Sequence, residues 1–158
     1  MKIVKDPSEF GGGLQLPDRI VIHAMGENIN NGKQVYSAKE WLDYLKLSAH
    51  YLIKSDGLII QCRDDNQVAW HAKGFNTGSI GIEVLLEGEH DYGSFIDAIK
   101  VKWLKQAQYD VLVELCKELM DTWNITSSRI DRHSDLSPGR KVDPGEGFPW
   151  EEFKQQLL

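Results

Sequence analysis

Between Ser79 and Leu86 the chain alternates, with Ile80, Ile82 and Val84 on one side and Ser79, Gly81 and Glu83 on the other. That period of two marks a strand buried on one face only. Glu83 therefore faces away from the aliphatic side, toward a cleft, and Gly81 leaves that face open for a substrate backbone to approach. Arg19 to Ala24 (RIVIHA) is apolar on both faces until His23, as in a strand inside a sheet, with His23 at the rim of its carboxyl end. His50 to Lys54 and Leu58 to Cys62 are apolar runs joined by Ser55-Asp56-Gly57, a hairpin in which Gly57 takes a positive φ. His50, inside the first run, reads as structural. Val68 to Ala72 reads as a short edge strand carrying Trp70 and His71, and Ser128 to His133 as a strand that delivers His133 to its carboxyl end. If that strand runs parallel to the Arg19 strand, both histidines emerge on the rim where open α/β sheets build their sites.

Helical signals fall between these runs. Ser37-Ala38-Lys39-Glu40 has the spacing of a capping box, followed by Trp41, Leu42 and Leu45 on one face of a helix ending near Leu47. From Ile99 to Trp123 the apolar positions Val101, Leu104, Leu112, Leu115 and Leu119 fall near helical spacing and predict one long amphipathic helix. Pro149 and the acids Glu151 and Glu152 open a short final helix. Glu87 to Ser94 reads as a surface loop with an exposed His90. Residues 1–18 read as a Pro/Gly-containing lead-in to which no element is assigned.

Size and charge narrow the classes. The 158 residues, 41% hydrophobic, suit one domain with a single core. A formal charge of −6 without a basic cluster argues against nucleic acid as the ligand. Cys62 and Cys116 are distant from each other and read as buried thiols. No run of eighteen apolar residues and no signal-peptide pattern is present, so a chain without membrane insertion is expected, cytoplasmic as synthesised, with phage lysis or a secretion route as possible deliveries to the cell wall; a monomer is also expected.

The chemistry concentrates in Asp131 to Trp150, where prolines and glycines forbid a helix or central strand and His133, Lys141 and Asp143 sit on a loop. His133 and Asp143 can reach one metal if the chain bends back at Ser137-Pro138-Gly139. Four segments, VIHA at His23, SAHYLIKSDGLIIQ, AWHAKGFNTGSIGIE and RHSDLSPGRKVDPGEGF, together resemble the zinc N-acetylmuramoyl-L-alanine amidases of the amidase type 2, peptidoglycan-recognition-protein-like family. The resemblance runs from about Arg19 to the C-terminus. It implies a single zinc amidase domain over residues 19–158, with a mixed central β-sheet of about five or six strands flanked by helices. It also implies His23, His133 and Asp143 as ligands of Zn2+, Lys141 as the stabiliser of the oxyanion and Glu83 as the carboxylate acting on the attacking water.

Departures from the family refine this. Ala49 stands where some phage members carry Tyr, and Glu83 where they lack an acid, which fits the branch that uses a glutamate. Ala24 stands where some recycling members have Asn. Only KGFNTG separates AWHA from SIGIE, as in the phage enzymes, so the groove is expected to be open, with Trp70, His71 and Phe75 offering faces to a peptidoglycan or muropeptide substrate. Two neutral imidazoles and one carboxylate leave zinc a net positive charge and an open fourth position, which suits hydrolysis of an amide. The bond between N-acetylmuramic acid and L-alanine is implied by the resemblance alone. A non-catalytic peptidoglycan-binding module of the same fold is the alternative. HExxH and PCxxC are absent, which disfavours other zinc hydrolases.

Overall fold

The computed structural model describes residues 1–158. Two long strands form its centre: β2 (Arg19–Asn30) and β6 (Ser79–His90) run parallel and in register from Arg19 opposite Ser79 to Gly26 opposite Leu86, with a bulge before Asn28. Outward from β6 lie β4 (Tyr51–Ile53), β5 (Ile59–Gln61) and β1 (Ile3–Lys5). The other edge of β2 is shared. β7 (Ile130–Arg132) pairs parallel with Ile20 to Ile22, and β3 (Val35–Ser37) pairs antiparallel with Asn28 to Asn30. Between these two short partners, from His23 to Glu27, that edge of β2 has no neighbouring strand. The sheet has seven strands, one or two more than expected, because β1 joins it in the lead-in and β3 follows a turn at Asn31.

The alternation of side chains separates a core from a site. On one face Ile20, Ile22, Ile80, Ile82 and Val84 pack against Leu112, Leu115, Cys116 and Leu119 of α3 (Gln106–Trp123) and Phe153 of α5 (Trp150–Gln156). On the other face α1 (Ala38–Tyr44) covers a smaller cluster of Ala38, Ala49, Leu52, Cys62 and Leu85. The expected capping box is present, with Ser37 Oγ accepting from Glu40 N–H and Glu40 Oε1 accepting from Ser37 N–H. His23 and Glu83 belong to this second face.

Several elements differ from expectation. Both central strands continue past the expected ends, so His23 lies inside β2 and not at its terminus; their polar carboxyl-terminal residues satisfy the backbone by pairing with each other while their side chains meet solvent. Val68 to Ala72 is an irregular segment, not an edge strand, with Val68, Ala69 and Ala72 buried and Trp70 exposed, its nearest ladder being a single bridge between Leu14 and Gln67. The long helix begins only at Gln106, and a separate α2 (Tyr92–Ala98), capped by Asp91, occupies part of the expected surface loop. Ile99, Trp103 and Leu104 are buried without being helical, because Ile99 C=O is taken by Gly147 N–H and the Trp103 indole donates to Pro144 C=O. Apolar spacing alone does not distinguish a buried irregular segment from a helix.

His50 is structural, as expected: its Nδ1 accepts from Gly81 N–H and its Nε2 lies 2.7 Å from Gln67 C=O. Burial pushes this imidazole down to about 4 from the ordinary 6.5. A histidine held neutral in the folded state takes up its proton on unfolding, so its contribution is full above about 6.5 and is lost as pH falls toward 4. At about 1.36 kcal/mol per pH unit the difference is about 3 kcal/mol. Urea melts of metal-free protein between those pH values should show this loss, and His50→Gln should have a flatter profile. An unchanged slope in the variant would remove His50 as the cause.

Candidate metal centre

The parallel pairing of β7 with β2 carries His133 to the strand-free edge of β2, where α4 (His133–Leu136) begins at His133 itself. The loop then turns at Ser137-Pro138-Gly139, Gly139 taking φ 78°, and returns so that Ser134 N–H donates to Asp143 C=O at 3.1 Å. Just beyond the end of β7, Ala24 N–H of β2 donates to Asp143 Oδ2 at 3.3 Å. The loop is anchored by close backbone contact: a Cβ on Gly147 would lie 1.8 Å from Val101 C=O, so only glycine fits there.

Three side chains converge as a result. His23 Nδ1 lies 2.9 Å from His133 Nδ1 and 3.4 Å from Asp143 Oδ2, and His133 Nδ1 lies 3.3 Å from the same carboxylate oxygen. All three are buried. A tetrahedral ion with bonds of about 2.0–2.1 Å needs donors roughly 3.3 Å apart, and two imidazoles with one carboxylate are a common open zinc set. The residues therefore fit a metal ion. Beside them Glu83, opposite His23 in the ladder, brings Oε1 to 3.8 Å from His23 Nδ1. Two buried atoms here lack a hydrogen-bond partner, His133 Nε2 and Glu83 Oε2.

The electrostatics match a site built for a cation. Burial pushes the His23 imidazole below its ordinary value despite the Asp143 carboxylate, which favours the neutral form a metal ligand needs. Burial would raise Asp143, but its interactions with the neighbouring His133 and His23 rings outweigh it and hold the carboxyl well below the usual range. Glu83 goes the other way: burial, then the Asp143 charge, push it well above the ordinary carboxylate range, with Lys141 drawing it back.

The cluster lies at the floor of a cleft of about 920 Å³. Of the residues expected to meet substrate, Trp70 and His71 line the cleft, as do Glu83 and Lys141, with Lys141 exposed on its wall. Phe75 is not brought there; its ring lies under the Arg19 guanidinium at 5.2 Å. Gly81 does not offer room to a substrate either, because a Cβ there would meet the His71 ring at 2.5 Å. Trp41, Leu42 and Leu45 form one wall and His90, Tyr92 and Phe95 another. His90, expected as a bystander, carries no local signal of this placement, since its loop reaches the cleft only through the extension of β6 and the packing of α2.

A mixed sheet with a buried His-His-Asp group that could hold a metal ion, and a glutamate beside it in an open cleft, is an arrangement suited to a metal-assisted hydrolase. The sequence profile of N-acetylmuramoyl-L-alanine amidase matches residues 13–146. Haemophilus influenzae 1,6-anhydro-N-acetylmuramyl-L-alanine amidase AmpD is 39% identical over 159 residues, covering 93% of this chain and 74% of the relative. The Escherichia coli protein of the same name is 35% identical over 119 residues, with 70% of this chain covered but only 58% of the relative. Among solved structures, the amidase LysC from Clostridium intestinale superposes with a TM-score of 0.75 at 27% identity, over 99% of this chain and 97% of that one. The chain belongs to the N-acetylmuramoyl-L-alanine amidase family and is by class an amide hydrolase.

Proposed function

We propose that this protein is a zinc-dependent amidase that cleaves the bond between N-acetylmuramic acid and L-alanine in peptidoglycan or muropeptides. The observation that carries the reading is the convergence of His23, His133 and Asp143 beside Glu83 in the open cleft. Zinc, when bound, supplies Lewis acidity and a water that ionises near pH 7, about nine pH units below bulk water. His23, His133 and Asp143 would hold the ion. Glu83 Oε2, buried and without a protein partner, takes a proton from the attacking water and returns it to the leaving nitrogen of L-alanine. Lys141 Nζ, on the cleft wall, offsets the negative charge that develops on the attacked oxygen. Digestion of purified sacculi followed by mass spectrometry tests this: free stem peptides beginning at L-alanine are expected, and sacculi that are bound but unchanged would leave a binding module instead.

The substrate reading extends to polymer. The Lys73 to Gly78 segment folds into tight turns, held by Asn76 Oδ1 accepting from His71 N–H and Ala72 N–H, and none of its residues lines the cleft. A groove without a wall on that side suits a glycan strand lying across it. The curated relatives above are named for 1,6-anhydro substrates, which makes the opposite preference the informative control. Intact sacculi should be cleaved at least as well as soluble anhydro-muropeptides by kcat/KM. A preference of roughly a hundredfold for the anhydro substrate, about 2.7 kcal/mol, would overturn the open-groove reading.

A further inference from the structure

His71 has a place in the structure that substrate contact does not explain. Its imidazole lies on the far side of His23 from the metal cluster, with Nδ1 2.8 Å from His23 Nε2 and Nε2 2.9 Å from Ser79 Oγ. Ser79 Oγ in turn lies 2.6 Å from Phe75 C=O and 3.1 Å from Asn76 C=O. These contacts determine where the protons sit. A carbonyl only accepts, so the single Ser79 hydroxyl proton is directed at Phe75 or Asn76, and Ser79 Oγ must accept from His71. His71 therefore carries its proton on Nε2, and its Nδ1 presents a lone pair to His23. His23 answers with a proton on Nε2, which leaves the lone pair of the neutral ring on Nδ1, the atom that faces His133 and Asp143.

From this relay we infer that His71 is a positioning residue for the metal centre: it selects the His23 tautomer and fixes the ring orientation that metal binding requires. The inference rests on the zinc reading of the cluster. Metal-ligating histidines usually donate their second N–H to a carboxylate, a carbonyl or water; here a second imidazole takes that part. The surroundings are arranged to keep it there. Asn76 Oδ1 accepts the backbone N–H of His71 at 2.9 Å. Gly81 of β6 leaves the space the ring occupies, since a Cβ at that position would stand 2.5 Å from its Cγ and Nδ1. The alternation of Ser79, Gly81 and Glu83 on one face of β6 thus places the proton acceptor for the relay, the gap for its ring and the acid beside the metal cluster on successive outward positions.

The test separates this role from catalysis. In metal-free protein, long-range 1H–15N correlation of the imidazoles should show both His71 and His23 with the proton on Nε2. Zinc affinity, measured by competition with a chromophoric chelator, should weaken about 10- to 100-fold in His71→Leu. His71→Asn, whose Oδ1 can occupy the place of Nδ1, should retain most of the wild-type affinity, and Ser79→Ala should weaken binding less than His71→Leu does. Amide spectra of each variant establish that the fold is kept. A proton on Nδ1 of His71 in the wild type, wild-type affinity in His71→Leu, or equal losses in the Leu and Asn variants would each overturn the inference. Wild-type protein that binds no zinc would instead overturn the proposed function, while the tautomer measurement, made without metal, still reports on the relay.

Discussion

Replacing His133 with alanine is expected to abolish stoichiometric zinc binding and, with it, hydrolysis. The variant removes one of three converging donors, and the remaining pair, His23 and Asp143, cannot enclose an ion. Zinc sites with a full ligand set are worth about 10–16 kcal/mol, so one protein ligand carries several, and a loss of about 4 kcal/mol is already about a thousandfold in affinity. The fold should survive. His133 sits at the end of a three-residue strand, outside the main hydrophobic cluster, and its Nε2 has no protein partner to lose. Elemental analysis of protein purified without chelator, alongside peptidoglycan digestion, makes the measurement. Full zinc occupancy with activity in His133→Ala would remove His133 from the site.

Glu83→Gln and Lys141→Ala should each lower turnover by about 10²-fold or more while zinc stays bound. Glutamine keeps the shape of Glu83 but cannot take a proton from water. Alanine at 141 removes the only lysine or arginine that lines the cleft. Stability supplies a second readout for Glu83. A carboxyl raised above its unfolded value is favoured in the fold only while protonated, so it costs stability once pH exceeds the unfolded value. Metal-free Glu83→Gln should therefore be at least as stable as the wild type at neutral pH, a pattern common where a site serves function before stability. Wild-type turnover in either variant would remove its catalytic role, and loss of zinc would make the residue part of the metal shell.

These expectations draw on two kinds of information. The alternation in β6 by itself placed Glu83 opposite the aliphatic side, because a pleated strand has no other way to arrange Ile80, Ile82 and Val84 in a core. The hairpin at Gly57, the capping box at Ser37 and the bend between His133 and Asp143 were equally local, each resting on a few neighbouring residues whose backbone preferences the fold does not override. The resemblance carried by the His23 and His133 segments named the three converging residues before any distance was known.

What the sequence left open depends on partners far along the chain. The strand ends of β2 and β6 were missed because polar residues there are held by their mutual pairing and not by burial. The start of α3 was misplaced because Ile99 and Trp103 are apolar for the sake of the Asp143 loop, more than forty residues away. β1 escaped notice because three exposed residues show no pattern until β5 lies beside them. His71 is the sharpest instance. Its sequence neighbours suggested only an aromatic surface, whereas its contacts come from His23 on one strand and Ser79 on another, with Gly81 providing the space. Local spacing determines which face a side chain takes; which hydrogen bond it makes there is decided only when the tertiary fold brings a donor and an acceptor within about 3 Å.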